Sequence, residues 1–513
     1  MLVHHDLIDA ARRHPDKIAV IAADRATSFR VLDEDSDRLA AALQRLGIRR
    51  GDRVAVMLDN GVEMVVALWA SLKAGAAFVP IPAGTKQDKL AFILADCEAR
   101  CLVAPETSRH PVVAACESSL SRPAILWVGD AAAGGENTLA GILAQPHQRP
   151  ADPKLIDQDL CLLIYTSGST GRAKGVMMTH AAVRNNVWAI GRYLGNTPDD
   201  VVLCILPLAF NYGLFQVLVG AHIGYTTVLE KSFAYPFQSL KLVAAHRVTG
   251  LAGVPTMFAS LLQLSPFTGL DLSSLRYMTN AAAPLAPAHA LKLRQVLPHV
   301  AFFSMYGLTE CTRVSFLDPA KIATKPGSVG QAIPNSEIFL VDEDDNPVAP
   351  GEVGELVVRS AGIMRGYWRR PNDTARALRD GGLAGEKLLY TGDLFRADAD
   401  GDLSFVGRRD DVFKCRGEKV SPREIESVLY ELVDVAEAAV VGVPDPIDGM
   451  TVKAFVVVTA DSGLTEAQLR RHCRARLEPH LVPRHIELRT SLPKTESGKI
   501  AKAALRLPLD EKE

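Results

Sequence analysis

Helix-period segments alternate with short β-branched runs in the first hundred residues of this chain. Four leucines between 32 and 46 recur at the spacing of one helical face, which ends at a glycine. DRVAVML at 52–58 then predicts a strand, 61–74 a helix, and FVPI at 78–81 a second strand. Because strands separated by helices pair in parallel, this order predicts a layered α/β sheet. The same pattern resumes from about 160 to 310.

The sequence pattern changes twice in the rest of the chain. From roughly 325 to 406, short strands and turn residues predict a smaller β-rich subdomain. The charged stretch 407–426 is typical of an exposed linker, and Ser-Pro-Arg-Glu at 421–424 has the composition of a serine-capped helix start. The predicted fold is therefore α/β, with a large N-terminal domain (1–409) of layered sheets plus the β-rich subdomain, and a small mobile α+β C-terminal domain (410–513).

Composition argues against several classes of function. The 513 residues include 59 Asp plus Glu and 57 Lys plus Arg, so no basic excess favours nucleic acid or an anionic membrane surface. The eight cysteines lack metal-ligand spacing and are expected to be reduced, which predicts a cytoplasmic protein. The N-terminal residues mix charged with apolar side chains, so no signal peptide is expected. Glu63 and Lys73 interrupt the longest apolar stretch, so no membrane span is predicted.

The segment YTSGSTGRAKGV at 165–176 carries the strongest chemical signal. Its small residues let backbone N–H groups approach phosphate oxygens, its hydroxyls add donors, and Lys174 adds a positive charge. The spacing of a P-loop is absent, because Ala173 stands where that motif needs its second glycine. The pattern favours a polyphosphate site of another kind; a flexible surface loop is the alternative.

Four further motifs follow this segment: YGLTE at 306–310, YTGDL at 390–394, GRRD at 407–410 and PKTESGKI at 493–500. In this order and spacing, the chain resembles the adenylate-forming (AMP-binding) superfamily over its whole length. That superfamily includes acyl- and aryl-CoA synthetases, stand-alone adenylation enzymes and firefly luciferase. The resemblance implies an acid–thiol ligase, in which a carboxylic acid and ATP give acyl-AMP and pyrophosphate, and the acyl group then passes to a pantetheine thiol.

The resemblance also implies which residues bind the nucleotide. They are Thr166, Ser167, Gly168, Ser169, Thr170, Gly171, Lys174, Ala282, Ala283, Tyr306, Asp393 and Arg408. Thr309 and Glu310 are implied catalytic residues, Thr309 as a donor to the α-phosphate and Glu310 as the magnesium ligand. Tyr306 would offer an aromatic face to adenine, and Asp393 would accept both ribose hydroxyls. Without the other motifs, Asp393 and Arg408 could equally be partners in surface ion pairs and not nucleotide ligands.

The C-terminal motifs imply a moving lysine. Lys499 is the implied adenylation lysine, although alone it would be interpreted as a solvated charge. Asp410 is the implied hinge, and Lys414 and Gly417 would face the incoming thiol after rotation. Cys415 is interpreted as structural, because the attacking thiol belongs to the cosubstrate. The implied cosubstrates are ATP, Mg²⁺ and either CoA or the phosphopantetheine of an acyl carrier protein.

The implied acyl pocket departs from the common versions of the family. Its residues are Phe210, Asn211, Tyr212 and Ala281. Asn211 stands where many acid ligases carry His and amino-acid adenylation domains carry Asp, and a neutral amide cannot neutralise an ammonium. Ala281 and Ala282 replace the usual glycine pair and add methyl groups near the pocket. An uncharged aryl or short acyl acid is therefore favoured; a capped turn without substrate contact is the alternative for Asn211.

Three other functions stay open on the sequence. A stand-alone amino-acid adenylating enzyme that loads a carrier protein would share the fold, and a luciferase-type oxygenase would share every motif. A non-catalytic ATP-binding protein is the alternative outside these classes. The presence of Lys499, Glu310 and Asp393 argues against a degenerate site. The sequence names neither the acid nor the choice between CoA and a carrier protein.

Overall fold

The structure is a computed structural model that describes residues 1–129, 138–167, 173–233, 235–264, 267, 269–409, 411, 413–415, 418–445, 449–459, 462–495 and 500–506. Among these residues the helices are α1 His4–Arg13, α2 Phe29–Arg45, α3 Val62–Lys73, α4 Gln87–Asp96, α5 Arg109–Ser118, α6 Leu139–Leu143, α7 His180–Tyr193, α8 Asn211–Ile223, α9 Pro236–Ala245, α10 Pro255–Gln263, α11 Pro287–Val296, α12 Pro371–Ala377, α13 Pro422–Leu429, α14 Glu466–Arg476 and α15 Lys502–Arg506.

The strands of the described residues follow the same chain order. They are β1 Ile18–Ala22, β2 Arg25–Ser28, β3 Arg53–Met57, β4 Ala77–Ile81, β5 Cys101–Pro105, β6 Ala124–Val128, β7 Leu160–Ser167, β8 Ala173–Thr179, β9 Val201–Cys204, β10 Thr226–Leu229, β11 Gly250–Gly253, β12 Tyr277–Asn280, β13 Ala301–Tyr306, β14 Ser315–Phe316, β15 Ser328–Ala332, β16 Ser336–Val341, β17 Val353–Ser360, β18 Gly366–Tyr367, β19 Leu378–Asp380, β20 Lys387–Ala397, β21 Leu403–Arg408, β22 Phe413–Cys415, β23 Glu418–Val420, β24 Val435–Asp445, β25 Gly449–Val458 and β26 His485–Leu488.

The first sheet confirms the parallel pairing that the sequence predicts. Its strand order is β18-β8-β7-β4-β3-β5-β6, and β3 pairs in parallel with both β4 and β5. All five residues of β4 are buried, as expected for a strand that is covered on both faces. Trp69 of α3 is fully buried in the core that packs on this sheet. At the other edge, β7 and β8 pair antiparallel and place Thr166 opposite Lys174.

A second, longer sheet carries most of the remaining motifs. Its order is β16-β17-β20-β21-β15-β14-β13-β12-β11-β9-β10-β1-β2. Strands β9 to β13 pair in parallel, and from β13 onward the pairing through β14 and β15 is antiparallel. The predicted β-rich subdomain is thus hydrogen-bonded to the α/β part along one continuous path. Along this path, Tyr306 at the end of β13 and Arg408 at the end of β21 come close to Asp393 in the middle of β20.

The C-terminal residues form a small α+β unit. Strands β24 and β25 pair antiparallel, β26 pairs in parallel with β25, and α13 and α14 pack with them around a separate apolar core. Thr465 and Gln468 form a capping box at the start of α14. Helix α13 begins at Pro422 with Ser421 at the N-cap position, as predicted. The Ser421 side chain makes no cap hydrogen bond, however, because its hydroxyl donates to the Val406 carbonyl at 2.6 Å. That bond links the unit to β21.

All eight cysteines are buried, and none of them forms a disulfide among the described residues. Burial raises the pKa of the Cys204 thiol to about 12, so this group stays protonated at neutral pH. Among the described helices, none combines the length and apolar character that a bilayer crossing requires.

Candidate active site

Asp393 and Arg408 face each other across the antiparallel strands β20 and β21. The Nε atom of Arg408 lies 3.3 Å from Oδ1 of Asp393, and the Tyr306 hydroxyl donates to Oδ2 of Asp393 at 2.5 Å. Burial and the neighbouring carboxylate of Asp393 raise the pKa of Tyr306 far above its usual value, so its hydroxyl remains a donor. Three residues from three separate motifs therefore converge, and the buried carboxylate has the chemistry to accept the two hydroxyls of a ribose.

Glu310 has a partner that the sequence analysis missed. The Tyr367 hydroxyl donates to Oε1 of Glu310 at 2.7 Å. Nζ of Lys174 lies 5.5 Å from the centroid of the Tyr367 ring and 2.9 Å from Oδ1 of Asp373. Burial and the Glu310 carboxylate raise the pKa of Tyr367, which keeps this hydroxyl protonated as well. The lysine of the Gly/Ser segment and the acid of the YGLTE motif thus share one tyrosine, and carboxylate oxygens of this kind suit Mg²⁺.

Several predicted residues lie outside the described residues. These are Gly168, Ser169, Thr170 and Gly171 of the phosphate-binding segment, with Asp410, Gly417 and Lys499 of the C-terminal part. The side chains of Ser167 and Lys414 also fall outside the described set, although both backbones lie in strands. Thr166 and Lys174 are described, and their pairing places the two ends of the segment side by side.

Asn211 begins α8 and faces the YGLTE motif. Its Nδ2 atom donates to the Thr309 carbonyl at 3.1 Å and lies 3.5 Å from Oγ1 of Thr312. Its Oδ1 atom is buried and has no hydrogen-bond partner among the described residues. The hydroxyl of neighbouring Tyr212 is already engaged, since it contacts the carbonyl and Oγ1 of Thr279 at 2.8 and 2.7 Å. Asn211 therefore offers one buried acceptor, in a position where a bound molecule could use it.

The Ala-Ala pair adopts a backbone that usually belongs to glycine. Ala282 has φ of +71°, in the left-handed region, and Ala281 beside it is buried. Asn280 supports the turn, because its Nδ2 atom donates to the Ala283 carbonyl at 3.1 Å. The chain thus keeps the glycine-type turn while adding methyl groups beside it.

Arg313 is a second residue that sequence analysis missed. Its side chain is 5% exposed, and its Cζ atom lies 4.3 Å from the centroid of the Tyr212 ring. The sequence offered one signal for Arg313: it is a charged residue three positions after Glu310, the last residue of the YGLTE motif. Sequence alone could not distinguish a buried guanidinium there from a solvated one.

Phe210 occupies the cap position of α8 and is half-buried. Tyr212 and Ala281 are buried in the same core cluster. The structure accordingly keeps Phe210, Asn211 and Tyr212 together at the start of α8, close to the YGLTE motif.

Comparison with known proteins gives two family matches. The AMP-binding enzyme family matches residues 7–368, and the AMP-binding enzyme C-terminal domain matches residues 424–499. A feruloyl-CoA synthase of Amycolatopsis sp is 35% identical over 97% of this chain and 96% of its own length. A long-chain-fatty-acid–CoA ligase of Salmonella typhimurium is 33% identical over 97% of this chain and 92% of its own length. The crystal structure of ATP-bound MatB from Rhodopseudomonas palustris superposes with a TM-score of 0.90 at 28% identity, over 99% and 98% of the two chains.

These matches agree with the resemblance inferred from the motifs and with the predicted fold class. They extend over nearly the whole chain, so they apply to both the large N-terminal part and the C-terminal unit. ATP, Mg²⁺ and CoA are the cosubstrates of ligases of this type. The chain belongs to the AMP-binding enzyme family and is an ATP-dependent, AMP-forming acid–thiol ligase.

Proposed function

We propose that this ligase activates an aryl or short acyl acid without an ammonium group and transfers the acyl group to CoA. The observation that carries the proposal is the buried Oδ1 atom of Asn211, which has no hydrogen-bond partner among the residues that the structure describes. It can accept a hydrogen bond from a substrate hydroxyl but cannot neutralise a positive charge. Ala281 and Ala282 stand where the family usually carries glycines, and their methyl groups are proposed to narrow the acyl pocket. The similar feruloyl-CoA synthase acts on an aromatic acid, whereas the similar fatty-acid ligase acts on a long chain.

On the nucleotide side, Asp393 accepts the ribose hydroxyls, and Arg408 holds the ribose or phosphate side. The contacts among Asp393, Arg408 and Tyr306 support these roles, because they hold a buried carboxylate in place at the strand ends. Glu310 holds Mg²⁺, whose charge offsets that of the phosphates, and Thr309 donates to the α-phosphate. The link from Tyr367 to Glu310 supports a metal-ligand role, since an outer hydrogen bond orients a ligating carboxylate.

On the C-terminal side, residues 410–513 form the mobile domain, and Asp410 is its hinge. Lys499 enters the site for acyl-AMP formation, and the Lys414 and Gly417 face replaces it for thiol attack. A separate apolar core in the C-terminal unit supports this division, because a unit with its own core can move as one body. CoA is the proposed acceptor because the similar ligases are named for CoA; an acyl carrier protein is the alternative.

The test is pyrophosphate release measured over aryl, short aliphatic, long-chain and α-amino acids, with and without CoA. We expect aryl or short acids to give the highest kcat/KM, and the thioester to form only when CoA is present. A Glu310→Gln variant is the matched control, because it keeps the side-chain shape and loses the metal-binding charge. Preference for an α-amino acid or a long fatty acid would refute the substrate class, and thioester formation with a carrier protein alone would refute CoA as acceptor.

A further inference from the structure

Arg313 is a buried cation without an ion-pair partner in the part of the chain that the structure describes. Its side chain is 5% exposed, and no described Asp or Glu oxygen lies within ion-pair distance of its guanidinium. Nη1 donates to the Thr312 carbonyl at 2.9 Å, while the buried Nε atom has no hydrogen-bond partner within the described ranges. Buried arginines are almost always paired, so this arrangement calls for an explanation.

The position of Arg313 links it to the proposed acyl pocket. The guanidinium stacks on the Tyr212 ring at 4.3 Å. The preceding residue, Thr312, lies next to the Nδ2 atom of Asn211. Arg313 therefore lies close to Asn211 and Tyr212, the two residues at the start of α8.

The protein compensates this charge only in part. An aromatic face, one carbonyl and the nearby hydroxyl of Tyr193 stabilise a guanidinium, but none of them carries a negative charge. A buried cation without a counter-charge costs free energy that an anionic ligand would recover. Guanidinium and carboxylate also match in geometry, since a planar fork of N–H donors meets two oxygens.

We propose that Arg313 binds a second carboxylate on the acid substrate, so that the enzyme activates one end of a dicarboxylic acid. The inference rests on the proposed ligase function and departs from the uncharged acid that the sequence favours, because it adds a second carboxylate to the acyl group. Asn211 accepts a hydrogen bond near one part of the acyl group, and Arg313 neutralises its charged end. The same cation disfavours a substrate ammonium, which is a second reason against a simple amino acid.

The experiment compares matched acids that differ at one end. Terephthalate, its monoamide and para-toluate form one series, and glutarate and pentanoate form another. Initial rates of pyrophosphate release give kcat/KM for wild type, Arg313→Met and Arg313→Lys. We expect wild type to prefer the dicarboxylate by at least about 100-fold, because a site built around a buried charge rejects the analogue without its partner. Arg313→Met should remove or invert this preference, and Arg313→Lys should retain only part of it.

Arg276→Met is the matched control. Arg276 also stacks on a tyrosine, Tyr277 at 4.9 Å, but it is paired with Asp200 at 2.9 Å. Its loss should lower the melting temperature and leave the ratio between the acids unchanged. If Arg313→Met does not fold, the ratio of kcat/KM between the matched acids in wild type alone tests the proposal.

The outcomes separate the two proposals. Release of pyrophosphate with monocarboxylates and none with dicarboxylates would overturn the role of Arg313 and leave the proposed ligase function standing. An equal ratio in wild type and Arg313→Met would also overturn it, and would make Arg313 a structural cation held by Tyr212. Absence of pyrophosphate release with every aryl and short acid would instead refute the proposed function itself.

Discussion

The hydroxyl of Tyr367 donates a hydrogen bond to Oε1 of Glu310 at 2.7 Å. Tyr367 lies on the short strand β18, which pairs with β8, so one bond connects the edge of the first sheet to the YGLTE motif of the second. Lys174 of β8 packs near the same ring. The orientation of the proposed magnesium ligand therefore depends on how the two sheets are docked.

Tyr367→Phe should weaken magnesium binding. The variant keeps the ring and loses the hydrogen bond that orients Glu310, and loss of such a bond typically costs about 10-fold in metal affinity. Titrating Mg²⁺ at saturating ATP and acid gives the concentration for half-maximal rate. Tyr225→Phe is the control, because the Tyr225 hydroxyl donates to the Gln216 carbonyl at 2.6 Å and neither residue belongs to the motifs. The same magnesium dependence in both variants would contradict the prediction.

Asn211→Asp should reduce activity on the native acid. The aspartate cannot donate to the Thr309 carbonyl and would place a negative charge against it, at a cost of about 1–3 kcal/mol. This cost corresponds to a loss in kcat/KM of roughly 5- to 150-fold. Asn196→Asp is the control, because Asn196 contacts Asp200 and Tyr277 away from the pocket. An unchanged kcat/KM in Asn211→Asp would show that this amide does not position the site.

Ala282→Gly should stabilise the protein. Ala282 is in the left-handed region, which costs a non-glycine residue about 1–2 kcal/mol, and glycine would relieve this strain for a smaller loss of chain entropy. We expect a gain of about 0.5–1 kcal/mol in urea unfolding. The neighbouring Ala281→Gly is the matched control and should destabilise by a similar amount, since Ala281 is buried and lies outside the positive-φ set. A lower free energy of unfolding for Ala282→Gly than for Ala281→Gly would refute the strain argument.

Stability should fall between neutral and acidic pH partly because of His4. Burial, and then the nearby His180 and His5, lower the pKa of His4 from 6.5 to about 2. Between these values the unfolded chain binds a proton that the folded chain does not, so the free energy of unfolding decreases as pH falls below 6.5. At about pH 5 the loss from this residue is about 2 kcal/mol.

His4→Phe should therefore flatten the pH dependence of stability. The free energy of unfolding, measured by urea titration at neutral pH and at about pH 5, should drop less in this variant than in wild type. His110→Phe, at an exposed position, is the control and should leave the pH dependence unchanged. Parallel curves for wild type and His4→Phe would contradict the prediction.

Lys499→Ala should abolish acyl-AMP formation and leave acyl transfer from preformed acyl-AMP nearly intact. The reason is that a lysine on the proposed mobile domain would be in the site in only one of its two proposed orientations. The two half-reactions are measured separately, by pyrophosphate release and by thioester formation from supplied acyl-AMP. Lys494→Ala is the control in the same segment, because Lys494 is paired with Glu437 at 2.5 Å. Equal damage to both half-reactions would refute the assigned role.

Much of this protein could be predicted from local sequence patterns. Strands β3 and β4 fall within one residue of the predicted 52–58 and 78–81, because alternating helices and apolar strands have a strong period. The Thr465 capping box was predictable for the same reason, since both partners are three residues apart. Ser421 takes the predicted N-cap position, but its side chain does not cap the helix, because its hydroxyl donates to a tertiary partner, the Val406 carbonyl.

The sequence by itself determined the family, the fold class and the neutral amide at Asn211, because each depends on residue types at short, fixed spacings. Only the tertiary structure decided that Tyr367 contacts Glu310, that Ala282 has a positive φ, and that Arg313 is buried against Tyr212. The physical reason is that burial, and the partners left to a charge, depend on packing between segments that are distant along the chain. Substrate choice is proposed to depend on these contacts, so the motifs alone identify a ligase and not its acid.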